Sequence, residues 1–189
     1  MRIAIVSDIH DNVWNLRAAL DCVRDADALL CCGDLCSPFV VGLMAEGFPA
    51  GRIELVCGNN DGDLMRITQN AARYAGRVRL RGEFAELPAA EYDGLRIAMI
   101  HYPDVAHRLA ASGDYDLVCY GHDHRFAIAR HAASGALTIN PGTLMGYDPI
   151  GGADTPATFV VIDTATRHPE AYELDPGGAA VPRVRMRRT

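Results

Sequence analysis

The sequence lacks any apolar run that approaches the ~20 residues needed to cross a bilayer, which excludes a membrane-spanning helix. The N-terminal segment, MRIAIV, lacks the apolar stretch and small-residue cleavage site of a signal peptide, and it is typical of a first strand. No two cysteines are spaced as CxxC, so zinc-ribbon and thioredoxin motifs are not supported. From these absences we expect a cytoplasmic protein.

The sequence also has no excess of positively charged residues. The formal net charge is −6, so duplex nucleic acid is an unsuitable main partner, whereas acidic residues are ligands that divalent cations need. A chain of 189 residues, 49% of them hydrophobic, is long enough to bury one core. We expect a single domain over residues 1–175. Residues 176–189 form a basic tail, for which we expect a frayed or edge segment, with anion binding as the alternative.

Six cysteines occur, and most lie in apolar runs, where a free thiol behaves as a small hydrophobic group. The adjacent Cys31 and Cys32 would point to opposite faces of a strand, which makes them unsuitable disulfide partners. Cys32 and Cys36 flank Asp34, so a metal role is conceivable for them. The pattern favours reduced core thiols.

Strands and helices alternate in the first part of the chain. We expect strands at residues 3–6, 27–32 and 53–57, and helices at residues 12–23, 38–46 and 61–74. This order favours a parallel sheet with right-handed crossovers. The remainder is richer in strands, expected at residues 84–87, 95–100, 115–120, 126–130, 136–139, 158–162 and 170–174, with a short helix at 105–111. Residues 151–156 are expected to form a mobile loop.

Polar residues that can bind metal follow five of these strands. They are Asp8 and His10, Asp34, Asn59, His101, and His122 with His124. In open α/β sheets, sites form beyond the carboxyl ends of the strands. Each residue alone has a simpler explanation, because Asp and Asn cap helices and form turns, and a lone histidine can be a hydrogen-bonded core residue. Their joint occurrence indicates one shared site.

The ligand types narrow the choice of metal. Imidazole, carboxylate and amide oxygen without thiolate suit Mn, Fe, Zn, Co or Ni better than a structural cysteine–zinc site. Seven ligands are too many for one ion that keeps an open coordination position. They suit two ions that lie about 3.5–4 Å apart and share one carboxylate. Two adjacent cations lower the pKa of a bridging water and hold anionic oxygens. A phosphate ester is therefore the substrate group we expect.

The motifs Asp8-Ile9-His10, Gly33-Asp34, Gly58-Asn59-Asn60-Asp61, His101 and Gly121-His122-Asp123-His124 occur in an order that resembles the calcineurin-like metallophosphoesterases. The segments Ser7-Asp8-Ile9-His10-Asp11-Asn12 and Asn140-Pro141-Gly142-Thr143 are most similar to the small prokaryotic phosphodiesterases of that superfamily. The resemblance extends from residue 1 to about residue 174. It implies an α/β fold, a four-layer αββα sandwich in which two mixed β-sheets pack face to face.

The resemblance also implies roles for matching positions. Asp8, His10, Asp34 and His124 would hold one metal ion, and Asp34, Asn59, His101 and His122 would hold the other. Manganese is the metal we expect first, with Fe, Zn, Ni or Co as alternatives. A hydroxide bridging the ions would attack phosphorus in line with the leaving group, and we count Asp34, Asn60 and His101 as catalytic. Asn12 and Asp61 are expected to support the ligands or cap helices.

Two positions depart from the pattern of this family. Many members have histidine where this chain has Asn60, and asparagine can donate a hydrogen bond to phosphate but cannot usefully transfer a proton. A glycine usually follows the position of His101, where this chain has Tyr102, which either covers part of the pocket or simply packs. His107 is an alternative acid, although a surface histidine on a helix is the simpler interpretation.

The expected function is phosphodiester hydrolysis, with a small phosphate ester as the substrate. A phosphomonoesterase acting on nucleotides or phosphoproteins is one alternative. Another is a non-catalytic protein-binding scaffold, because a eukaryotic trafficking scaffold resembles these enzymes. Such scaffolds usually lose metal ligands, whereas this chain keeps the whole set. An exposed edge strand would also allow a homodimer.

Overall fold

Two β-sheets packed face to face form the centre of the protein, as seen in a computed structural model that describes residues 1–74, 76–175 and 180–182. The strands are β1 (Arg2–Val6), β2 (Ala28–Cys31), β3 (Arg52–Leu55), β4 (Val78–Leu80), β5 (Phe84–Leu87), β6 (Ile97–Ile100), β7 (Leu117–Cys119), β8 (Ala127–Arg130), β9 (Leu137–Asn140), β10 (Tyr147–Asp148), β11 (Ala153–Asp154), β12 (Thr158–Asp163), β13 (His168–Leu174) and β14 (Ala180–Pro182). The helices are α1 (Val13–Cys22), α2 (Phe39–Gly47), α3 (Leu64–Ala72) and α4 (Pro103–Ser112), with a 3₁₀ turn at Ala89–Glu91.

The first sheet has the strand order β14-β13-β12-β1-β2-β3-β4. Strands β1 to β4 run parallel, because a helical crossover joins each strand to the next, whereas β12 pairs antiparallel with β1. The second sheet has the order β5-β6-β7-β9-β8. Its strands β6, β7 and β9 are parallel, and the edge strands β5 and β8 pair antiparallel with their neighbours. Both sheets are therefore mixed, as the family resemblance implies.

Apolar side chains fill three separate layers. One cluster packs α1, α2 and α3 against the outer face of the first sheet, a second lies between the sheets, and a third packs α4 against the second sheet. Cys31 belongs to the first cluster and Cys32 to the second, which confirms that these neighbours point to opposite faces. The layers make the αββα sandwich that the resemblance implies.

Local sequence explains where the helices begin and end. Asn12 and Asp63 cap α1 and α3 by accepting hydrogen bonds from backbone N–H groups three residues later. Pro103 occupies the first turn of α4, and Gly113 ends that helix in the left-handed conformation, at φ 80°. The helices α1, α2, α3 and α4 follow β1, β2, β3 and β6 in the chain, so their first turns lie near the carboxyl ends of those strands.

The structure differs from the sequence expectations in a few segments. Strand β4 was not expected, and the loop expected at residues 151–156 contains β11, which pairs with β10 in a short hairpin. The basic tail at residues 176–189 lies outside the described residues, apart from β14, which pairs with β13 at the edge of the first sheet. Within the described part of the chain, no helix has the length and apolar character to cross a membrane.

Candidate metal centre

All seven expected ligands converge at one edge of the sandwich, in the loops that follow β1, β2, β3, β6 and β7. Parallel strands bring their carboxyl ends to the same edge, which explains how residues more than a hundred positions apart meet. Asp8, Asp34, His101 and His124 are buried, whereas Asn59 is exposed to solvent. The centre is therefore anchored in the core and open on one side.

The first group of ligands surrounds the Nε2 atom of His10. This atom lies 3.1 Å from Nε2 of His124, 3.4 Å from Oδ2 of Asp34 and 3.9 Å from Oδ1 of Asp8. Nε2 of His124 also lies 3.4 Å from Oδ1 of Asp8. Two imidazole nitrogens and two carboxylates thus face one small space, a donor set that suits a divalent transition metal.

The second group of ligands surrounds the Nε2 atom of His101. This atom lies 3.4 Å from Oδ2 of Asp34 and 3.1 Å from Oδ1 of Asn59. The same amide oxygen lies 2.8 Å from Nδ1 of His122. The two groups match the sets that the family resemblance implies, although Asp8 also lies within reach of Asp34 and His101. The assignment of each group to one ion stays a prediction.

Asp34 belongs to both groups, since its Oδ2 atom lies 3.4 Å from Nε2 of His10 and of His101. Burial raises the pKa of Asp34, but hydrogen bonds from His101 and Asn60 outweigh burial and hold the pKa well below its usual range. The side chain is therefore an ionised carboxylate that lies between the two groups of ligands. That is the charge state and position needed in a ligand shared by two cations.

The pKa shifts differ among the imidazoles of the centre. Burial lowers the pKa of His10, despite the nearby carboxylates of Asp34 and Asp8. For His101, burial again acts to lower the pKa, but the hydrogen bond with Asp34 and the charge of Asp8 raise it overall. The pKa of His124 is also raised, since the hydrogen bond with Asp8 outweighs burial. The carboxylates thus attract positive charge into the centre.

The ring nitrogens that face away from the centre fix the orientation of two imidazoles. Nδ1 of His101 donates to the Cys32 carbonyl at 2.7 Å, and Nδ1 of His124 donates to the Tyr147 carbonyl at 2.6 Å. Because a carbonyl can only accept, Nδ1 carries a proton in each ring, and Nε2 is the nitrogen that would bind metal after losing any proton it shares with Asp34 or Asp8.

His10 differs from these two rings in its outer partner. Its Nδ1 faces the thiol of Cys36 at 3.5 Å, and burial, with Asp34 and other nearby carboxylates, raises the pKa of that thiol to about 12. The Cys36 thiol therefore contacts the ligand His10 but is not one of the seven expected metal ligands. Cys32 lies in the core and takes part only through its backbone carbonyl.

Asp61 ties together the loops that carry the ligands. Its Oδ2 accepts from the backbone N–H groups of Asp34 at 3.1 Å and Gly58 at 2.7 Å, and its Oδ1 accepts from that of Cys36 at 2.8 Å. Burial raises the pKa of Asp61. The cap of α3 is Asp63, so Asp61 supports the ligands rather than a helix.

Backbone strain is concentrated at the centre. Among the described residues, the non-glycine residues with positive φ are Asp8, His10, Asp11, Asp34, Cys36, His122 and His124 at the centre, and Asp93 and Arg167 elsewhere. Such conformations cost on the order of 1–3 kcal/mol each and persist when the surroundings hold them. Asp11 supplies one restraint, because its carboxylate accepts from both the backbone N–H and the hydroxyl of Ser37.

The turn at residues 140–143 supports the histidine loop. The Asn140 side chain donates to the Gly121 carbonyl at 3.2 Å and to Asp123 at 2.7 Å, and the Thr143 hydroxyl donates to the Asp8 carbonyl at 2.8 Å. Gly121 itself has no room for a side chain, since a Cβ atom would overlap Ser7 and Asp8. These contacts hold β1 and the histidine loop at a fixed spacing.

Asn60 and Tyr102, the two residues that depart from the pattern of the resembling family, also lie at the metal centre. Asn60 donates to both carboxylate oxygens of Asp34, through its backbone N–H and its side-chain amide, each at 2.8 Å. The Tyr102 ring contacts those of His101 and His122, with centroids 5.2 and 5.1 Å apart. His107 is exposed on α4 and contacts the Tyr120 ring, as expected for a surface histidine.

The profile of the calcineurin-like phosphoesterase superfamily domain matches residues 1–167. The phosphodiesterase MJ0936 of Methanocaldococcus jannaschii is 30% identical over 151 residues, which cover 78% of this chain and 86% of that protein. Both similarities extend over most of the chain.

Solved structures show the same fold. The structure of an archaeal phosphodiesterase superposes with a TM-score of 0.80 at 28% identity, covering 92% of this chain and 100% of that one. Vacuolar protein sorting 29 from Cryptosporidium parvum superposes with a TM-score of 0.68 at 19% identity, covering 96% of this chain and 95% of the other. The second likeness concerns the fold alone.

Proposed function

The chain belongs to the calcineurin-like phosphoesterase superfamily, and on that premise we propose that it hydrolyses phosphodiesters with the help of two divalent metal ions. The observation that carries the proposal is the position of Asp34, whose Oδ2 atom lies 3.4 Å from one imidazole nitrogen of each ligand group. A single shared carboxylate between two open donor sets is the arrangement that two-metal hydrolases require.

Each ligand group has four donors of the right chemistry, so the residues fit the ions that the family implies. Two bound ions would lower the pKa of a water between them and stabilise charge on the phosphoryl oxygens. Asp34 offsets the cationic charge, and the outer carbonyls hold His101 and His124 with Nε2 turned inward. Manganese suits this oxygen-rich set, and Fe, Zn, Ni or Co would also match the donors.

Asn60 is placed beside the shared carboxylate, where its amide can donate to a phosphoryl oxygen as well as to Asp34. An amide cannot supply a proton to the leaving oxygen. We therefore propose a preference for esters whose leaving group departs without protonation. The similarity to a named phosphodiesterase favours diesters over monoesters.

The test compares bis(p-nitrophenyl) phosphate with p-nitrophenyl phosphate after reconstitution with Mn²⁺. We expect kcat/KM for the diester to exceed that for the monoester by at least about tenfold, with activity lost on chelation and restored by metal. A reversed ratio would support the phosphomonoesterase alternative. Stoichiometric metal binding without hydrolysis of either ester would support the scaffold alternative. Asp63→Asn, a change outside the centre, serves as the control variant.

A further inference from the structure

The exposed large apolar side chains of this protein are concentrated at one end. Among the described residues they are Trp14, Phe39, Leu64, Met65, Phe84, Val105, Tyr147 and Ile150. Trp14, Met65 and Ile150 are 79%, 72% and 70% exposed. Single exposed apolar residues are normal on any surface, but a concentrated set marks a binding surface.

The secondary structure places this set around the metal centre. Trp14 lies in the first turn of α1, Phe39 begins α2, Leu64 and Met65 begin α3 and Val105 lies in the first turn of α4. These turns follow β1, β2, β3 and β6, the same strands that lead into the ligand loops. Contacts of α1 with α2 and of α2 with α3 place the first turns of these helices in a row.

The remaining members lie at the same edge. Phe84 pairs with Ile100, which directly precedes His101. Tyr147 accepts a hydrogen bond from His124 through its carbonyl, and Ile150 lies in the turn of the same hairpin. We call the eight side chains the apolar rim.

The charges near the rim restrict what it can bind. The rim segments include acidic residues at Asp63, Asp104 and Asp148, and Arg66 is paired with Asp63 at 3.5 Å. The sequence contains no lysine, so its cationic side chains are arginines, and the charge of Arg125, next to His124, acts on the Asp148 carboxylate of the hairpin. A polyanion such as a nucleic acid strand needs several cationic contacts to its phosphates, so the rim suits an uncharged apolar group instead.

We propose that the apolar rim binds the alkyl or aryl ester group of an amphiphilic phosphodiester whose phosphoryl group lies at the metal centre, an inference that rests on the proposed function. The rim borders the centre on the helix side, the hairpin side and the side of the second sheet. A substrate held at its phosphate would therefore lay its apolar group on the rim in several orientations. The rim selects substrates through binding, whereas the centre carries out the hydrolysis.

The first test uses p-nitrophenyl alkyl phosphates from methyl to octyl, which share one leaving group, at concentrations below micelle formation. Half-burial of each methylene predicts that kcat/KM rises about twofold per carbon, or roughly 100-fold from methyl to octyl. The double variant Trp14→Ser with Met65→Ser should lower the octyl value at least about tenfold and leave the methyl value unchanged. Arg24→Ser, an exposed change beyond the far end of α1, should alter neither value.

A second test does not depend on turnover. Trp14 is the one tryptophan in the sequence and is largely exposed, so its fluorescence reports on the rim. Octyl methyl phosphate should shift the emission to shorter wavelength in the metal-loaded protein, and dimethyl phosphate should not. Equal emission with both esters would overturn the apolar rim, even if the methyl ester is hydrolysed and the proposed function stands. A shift that depends only on protein concentration would assign the surface to a second copy of the chain and would also overturn the inference.

Discussion

Replacing Asp61 with asparagine tests whether one buried carboxylate holds the ligand loops together. The Asp61 carboxylate accepts hydrogen bonds from three backbone N–H groups through its two oxygens. The asparagine amide has only one oxygen, and an NH₂ group replaces the other. One buried N–H is then left unpaired, at a cost of about 1–3 kcal/mol, and the other hydrogen bonds lose their charged acceptor, at about 1 kcal/mol each. Relief of the buried charge offsets part of this loss. We expect a net destabilisation of about 2–4 kcal/mol.

For a domain of this size, that loss lowers the melting temperature by roughly 5–15 °C. The assay is thermal unfolding followed by circular dichroism in the presence of a chelator, so that metal binding does not contribute. Asp63→Asn is the matched control, because asparagine caps a helix as well as aspartate does and α3 should be unaffected. If the Asp61→Asn protein melted within 1 °C of the wild type, the role assigned to this carboxylate would be wrong.

Three further predictions concern the centre itself. Asp34→Asn should bind one metal equivalent fewer and lose nearly all phosphodiesterase activity, as measured by metal analysis and turnover, and full activity would refute a shared carboxylate. Across aryl phosphodiesters, log kcat should fall as the leaving-group pKa rises, since Asn60 supplies no proton; a flat plot would contradict this. Cys36→Ala should weaken metal binding about tenfold in a competition titration, because His10 loses its outer partner, whereas Cys22→Ala should not. Equal affinity in both variants would show that the thiol does not orient His10.

The ligand loops could be predicted from sequence because each follows an apolar strand. Once β1, β2 and β3 are recognised as parallel strands, the residues after them must share an edge of the sheet, and His101 and His122 follow strands in the same way. The four-layer arrangement was harder to predict from the sequence, because apolar patterning identifies strands but does not indicate which sheet each strand joins. For that step the resemblance to a known family was needed.

The supporting contacts could not be predicted, because they depend on tertiary geometry. Cysteine has no preference for the left-handed conformation, so nothing in the sequence indicates that Cys36 adopts it and faces His10. Strand β4 is short and alternates apolar and charged residues, which weakens its signal. Its Arg79, with Arg81, pairs with Glu54, a fully buried carboxylate in β3.

The most direct test of the two-metal centre is a crystal structure of the protein soaked in Mn²⁺, with anomalous scattering used to locate the ions. The centre described here predicts two peaks about 3.5–4 Å apart, with the Asp34 carboxylate between them. One group of ligands, containing His10 and His124, should surround the first peak, and His101 and His122 should bind at the second. A single peak, or peaks remote from Asp34, would contradict the central claim.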